Sequence, residues 1–222
     1  MKISENTINI LKNFSSINGS ILVRPGNILT TVGVQRTIYA TATVEESFPR
    51  QFAIYELPKF LGILSLFHDH DIDFGENQLT IVAGNQIVNF TYADESTIIA
   101  PPVDKKIVVD PADIEFSINH YDFHKVLKAA SILQVPNIAV VGDGETIKVC
   151  AVNSSNPTSN TFNIEVGATD KRFNMVFRVE YLVKLLPLSY HVKINSRGIS
   201  SFTDNNIQYF VMTESNQSVF NS

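Results

Sequence analysis

The sequence predicts an α+β chain of two tandem domains, each running helix, strands, helix, strands, and three observations predict it. Residues 54–66 and 176–188 read as one segment written twice, with apolar residues meeting at 54/176, 55/177, 57/179, 60/182, 61/183, 63/185, 64/186 and 66/188. A weaker echo aligns 11–17 with 127–133, so helix-like segments recur in the same order in each half. Alternating, β-branched runs fill the spaces between these segments, which is the period of half-buried antiparallel strands. A repeat this long is a duplicated domain, since solenoid repeats are far shorter.

The first half opens with a helix over 2–14, with Ser4 as N-cap and Ile8, Leu11 and Phe14 on one face. Strands follow at 20–23, 28–34, 38–44 and 51–55, then a helix over 56–67 with Pro58 in its first turn, where a missing N–H costs nothing. Strands at 72–74, 79–82 and 86–92 close the half, with Gly75-Glu76-Asn77 placed to supply a positive φ in a tight turn. The second half repeats the order. A helix over 120–132 shows Phe123, Val126, Leu127 and Ala130 on one face; strands follow at 138–141, 147–152, 162–166 and 173–179, with Asp143-Gly144 as a hairpin turn. A helix over 178–188 ends at Pro187, and strands at 190–195, 199–203 and 207–213 complete the half. Residues 98–111, with three prolines, read as an extended connector, so the domains are assigned as 1–109 and 110–222. Residues 215–222 read as a tail.

At 222 residues each half is large enough to bury a core of its own, and no apolar run approaches the ~20 residues a bilayer demands. The N-terminus carries no signal-peptide pattern, which predicts a cytoplasmic protein. The single Cys150 has no disulfide partner and reads as a buried core thiol. The net charge of −5 argues against nucleic acid until it is mapped: the four helical segments carry net +3 and the remainder −8. A one-sided field is a statement about partners, whereas a total charge is one about solubility. The helical cations Lys12, Lys59, Lys125, Lys128, Arg178 and Lys184 are therefore the candidate phosphate contacts.

His68-Asp69-His70-Asp71 invites a metal reading, because imidazole and carboxylate are good ligands, and it leaves a metal-dependent hydrolase as the alternative function. Four consecutive residues point in different directions, however, and no further His or Cys motif completes a coordination set. His120 and His124, one turn apart, share their helix with Lys125 and Lys128 and read as surface or DNA-facing. Phosphate loops, nucleophile elbows and paired catalytic acids are all absent, so neither an enzymatic activity nor a metal or cofactor is expected.

Met1-Lys2-x-Ser4-x-x-Thr7, Leu11-Lys12-Asn13-Phe14, Ile17-Asn18, Tyr39-Ala40-x-Ala42, Ala53-Ile54-Tyr55-x-Leu57, residues 60–66 and Ser96-Thr97-x-x-Ala100-Pro101 resemble the DNA polymerase sliding clamps of T-even-type bacteriophages. The match is densest in the first hundred residues. The resemblance implies two clamp-fold domains per chain, helices on the inner face of a homotrimeric ring around duplex DNA, and antiparallel sheets outside. It further implies docking of the phage DNA polymerase and a clamp loader, a role with late-transcription factors, and action in the cytoplasm of the infected host. Clamps generally seat an apolar partner peptide beside the interdomain connector, which here nominates Ile107 and Val109 with Phe210.

Overall fold

A computed structural model describes residues 1–67, 69–102 and 107–221 and divides the chain into two compact units, Met1–Lys105 and Lys106–Ser222. In the first unit, helix α1 (Glu5–Ile17) starts at Ser4, whose hydroxyl accepts the Thr7 N–H at 3.3 Å. It begins three residues later than the sequence pattern suggests and runs a turn further, because Ile17 joins Ile10, Leu11 and Phe14 on the buried face. Strands β1 (Ile21–Val23), β2 (Gly26–Val32), β3 (Ile38–Phe48) and β4 (Phe52–Ile54) follow; β1 pairs with β4 and β2 with β3, both antiparallel. Helix α2 (Leu57–Leu64) buries Leu57, Phe60, Leu61 and Leu64. An antiparallel sheet of β5 (Asp71–Phe74), β6 (Gln78–Ala83) and β7 (Gln86–Thr91) completes the unit. The left-handed turn residue in this sheet is Gly84 (φ 59°), not one of residues 75–77. Gly75 serves close approach instead, since a Cβ there would stand 2.9 Å from the Gln78 carbonyl oxygen. Phe48, Phe52, Phe74 and Tyr92 form one aromatic cluster, with centroids 5.3–6.1 Å apart, and Phe60 of α2 meets Phe90 of β7 edge-on at 5.3 Å.

The second unit opens with a strand, not a helix. β8 (Ile114–Ile118) alternates buried Ile114, Phe116 and Ile118 with exposed Glu115 and Ser117, and precedes α3 (His120–Leu133). Then come β9 (Asn137–Asp143), β10 (Thr146–Val152), β11 (Phe162–Ala168), β12 (Arg172–Arg178), α4 (Val179–Leu182), β13 (Tyr190–Ile194), β14 (Ile199–Asp204), β15 (Ile207–Met212) and β16 (Val219–Asn221). One sheet runs in the order β11-β10-β9-β12-β16, and β8, β13, β14 and β15 neighbour one another in a second. At the predicted Asp143-Gly144 turn, Gly144 adopts φ 93°, and the Asp143 carboxylate accepts the N–H groups of Glu145 and Thr146. Phe123, Phe177, Tyr190, Phe202 and Tyr209 interlock at 5.3–6.3 Å as the core. Desolvation pushes the Tyr190 hydroxyl well above the usual tyrosine range, and it donates to the Leu186 carbonyl at 2.5 Å.

Three further expectations need correction. The helix expected over 178–188 is a single turn: past Leu182 the N–H groups of Lys184 and Leu185 bond three residues back, and Pro187 disfavours helical backbone at Leu186. The tail carries β16, which pairs with β12 and stacks Phe220 on Phe173 at 6.2 Å. Cys150 is half-buried, because the alternation of β10 gives full burial to Ile147, Val149 and Ala151; its thiol pKa is raised by desolvation. No helix among the described residues is long and apolar enough to cross a membrane.

Candidate nucleic-acid interface

The structure sorts the six nominated cations by the company they keep. α1 is fixed at its start by a carboxylate from a strand: Glu46 of β3 accepts the Ser4 N–H and, at 2.5 Å, the Thr7 hydroxyl. Partial burial pushes the Glu46 pKa up, but these donated hydrogen bonds outweigh it and leave the group below its ordinary value. With Ile10, Leu11, Phe14 and Ile17 turned inward, α1 exposes Glu5, Asn6, Asn9, Lys12 and Ser16. Lys12 has no ion-pair partner among the described residues.

α3 is built the same way. Asn119 caps it, accepting the Asp122 N–H at 2.9 Å and donating to the Asp122 carboxylate at 2.7 Å. Phe123, Val126 and Ala130 are buried, while His120, Tyr121, His124, Lys125, Lys128, Ser131 and Ile132 are exposed. The Lys125 ammonium lies 5.5 Å from the Tyr121 ring centroid and 6.0 Å from that of Phe162, within cation–π range of both. Lys128 stands without an ion-pair partner among the described residues.

The other three nominated cations are engaged. Lys59 pairs with Glu56 at 2.7 Å, and Lys184 is half-buried with an interaction inside the chain. Arg178 is held by Glu214 at 2.9 Å and Glu180 at 3.2 Å, and these hydrogen-bonded carboxylates raise its pKa further above an already high value. The helix-borne charge available to a phosphate is thus concentrated on the first long helix of each unit. α1 also exposes the amides of Asn6 and Asn9, neutral donors that carry no signal in a charge map.

At the other nominated positions, Ile107 and Val109 stand half-buried outside regular structure, between them Val108 is 66% exposed, and Phe210 on β15 is only 6% exposed. His68 lies outside the described residues. The rest of that cluster does not converge: Asp69 pairs with Lys2 at 2.6 Å, and the His70 ring is buried with neither nitrogen hydrogen-bonded. Among the described residues no three His, Cys, Asp or Glu side chains are grouped to hold a metal. Among the described residues, β7 stands at one edge of the three-stranded sheet of the first unit, and β11 at one edge of the five-stranded sheet of the second.

Residues 3–100 match the family model described as DNA polymerase processivity factor, and residues 115–215 the one described as gp45 sliding clamp, C terminal. Proteins named sliding clamp are similar over nearly the whole chain. That of Vibrio phage KVP40 is 31% identical over 96% of this chain and 99% of its own length, and that of Escherichia phage RB69 is 30% identical over 96% and 97%. That of Enterobacteria phage T4 is 28% identical over the same shares as the RB69 protein. Among solved structures, one of a PCNA2–PCNA3 complex from Sulfolobus tokodaii superposes with a TM-score of 0.68 at 12% identity, covering 94% of this chain and 96% of that one. The β chain of DNA polymerase III from Streptococcus pneumoniae gives 0.66 at 11% identity, over 96% and 63%. At such identities these two likenesses establish the fold, tandem clamp domains of α+β architecture.

Proposed function

Since the chain belongs to the sliding clamps, the non-enzymatic processivity factors of phage DNA polymerases, we propose that it closes into a homotrimeric ring around duplex DNA and tethers the polymerase there. The observation that carries this reading is the matched pair of amphipathic helices, α1 and α3, which hold Lys12, Lys125 and Lys128 outward while the other helical cations are engaged. A ring that must slide has no use for fixed base contacts; it needs exposed lysines that meet phosphates of any sequence. The negative remainder of the chain keeps DNA off other surfaces. Processivity then follows from topology, because a tethered polymerase gains effective concentration without tighter chemistry. A clamp loader would open and place the ring, and late-transcription factors would use the same tether, all in the cytoplasm of the infected host. The domain boundary we adopt for this reading lies between 109 and 110.

The test is retention on circular against linearised duplex. A closed ring stays on the circle and runs off the cut molecule; equal loss from both overturns the reading. Replacing Lys12, Lys125 and Lys128 together by Ala is expected to reduce the salt slope of binding by about 0.9 for each phosphate left without its lysine, with no change in sequence preference. A salt series on a short duplex measures it.

The partner surface we propose is the connector segment Ile107–Val109 with Phe210, although the depth of Phe210 leaves Val108 as the most accessible of these side chains. An apolar peptide anchor gains about 1.5–3 kcal/mol when fully buried. Val109→Asp is therefore expected to abolish polymerase stimulation while leaving the oligomer intact; full stimulation by this variant would place the docking surface elsewhere.

A further inference from the structure

The solvent face of α1 is short of charge and rich in amides. Of its exposed residues Glu5, Asn6, Asn9, Lys12 and Ser16, only one is cationic. Asn is among the poorer ordinary helix formers, because its short amide competes with the backbone for hydrogen bonds. Nothing among the described residues offsets that cost. Capping is done by Ser4 and Glu46, the core by residues of the opposite face, and neither the Asn6 nor the Asn9 amide has a partner among the described residues. Asn6, Asn9 and Lys12 advance by three residues each, so the row spans about 9 Å along the helix. Phosphates recur about every 3.4 Å along the axis of one DNA strand, which gives such a row more than one to meet. Each amide offers two N–H donors to phosphate oxygens, and a neutral donor displaces no counterion.

We propose that Asn6 and Asn9, continuing into Lys12, form a neutral hydrogen-bonding track for the phosphates of duplex DNA. The two units then hold DNA by different chemistry, amides in the first and Lys125 with Lys128 in the second. The inference rests on the reading that α1 faces the DNA.

The experiment compares the full-length protein with the Asn6→Ala, Asn9→Ala double variant, by fluorescence anisotropy on a short linear duplex across a salt series and by thermal melting. Affinity is expected to fall about three- to tenfold at every salt concentration, as for the loss of net hydrogen bonds, with the salt slope unchanged. The melting temperature is expected to rise by about 2–5 °C, since Ala is the better helix former at both positions. The Asn6→Gln, Asn9→Gln variant keeps the donors and is expected to restore binding. Unchanged affinity in the alanine variant overturns the proposal, as does a loss that comes with a lower melting temperature and is not restored by Gln. If the Lys12, Lys125 and Lys128 variant also binds DNA unchanged, the reading of the helices themselves has failed; if it alone weakens binding, only the amide track has.

Discussion

Ile87→Glu is expected to yield a folded chain that no longer assembles and no longer confers processivity. Ile87 sits on β7, an edge strand of its sheet, 66% exposed and directly opposite Val82, itself 39% exposed. An exposed apolar pair beside a row of unpaired N–H and C=O groups is a liability that proteins remove by covering the edge. In the proposed ring the cover is β11 of the next chain, whose own edge is likewise free. Head-to-tail pairing of two such edges closes a ring when the rotation allows it. A carboxylate placed at that seam loses its water without gaining a partner, which costs about 1–3 kcal/mol or more at each junction and weakens association by roughly tenfold to a hundredfold. Sedimentation velocity is expected to show monomers where the unaltered chain shows trimers. The helical content, read by circular dichroism, should be unchanged because Val88 and Phe90, not Ile87, are the half-buried side chains of β7. A variant that remains trimeric would move the seam away from β7.

The second large effect concerns stability. A Cβ at Gly142 would lie 2.5 Å from the Phe173 ring and 2.8 Å from the Lys171 carbonyl oxygen, closer than packed atoms approach. Gly142 and Phe173 are paired across β9 and β12, and Phe173, only 4% exposed, in turn stacks on Phe220 of β16, so a shift of the ring disturbs its other packing. Gly142→Val is expected to cost about 3 kcal/mol, at the upper end for overpacking. At roughly 2–4 °C per kcal/mol in a chain of this size, the melting temperature should drop by about 6–12 °C. Gly142→Ala with Phe173→Leu should recover part of the loss, since a smaller side chain makes room. An unchanged melting temperature for Gly142→Val would show that β12 yields where the packing says it cannot.

Most of the element order was legible because the periods are clean. Ser4 announced the start of α1, and Asp143-Gly144 announced its turn, since each signal is local. What escaped was set by distance or by a few competing bonds. β8 lies between the connector, which ends at Pro111, and the predicted helix, in a stretch to which the sequence reading assigns no element, although Ile114, Phe116 and Ile118 alternate as a strand should. The shortness of α4 depends on three-residue hydrogen bonds that no apolar pattern records. For the candidate site, the sequence offers six helical cations but does not show which of them are engaged inside the chain. The partner of Lys59 was readable three residues upstream, whereas Glu214, which holds Arg178, is 36 residues away in sequence and is brought there only by the fold.

Lys125 has no ion pair among the described residues and is not wholly solvated, because its ammonium lies within 6.0 Å of the ring centroids of both Tyr121 and Phe162. In the proposed ring this gives the side chain a resting place for the interval between one phosphate and the next. An ammonium leaving a phosphate for bulk water must recover a full hydration shell, and that recovery appears as a ripple in the energy along the path. One that returns to a pair of aromatic faces exchanges one weak attraction for another, worth about 0.5–2 kcal/mol. The ripple shrinks accordingly, and the lysine passes its phosphates with less friction than its charge alone would impose.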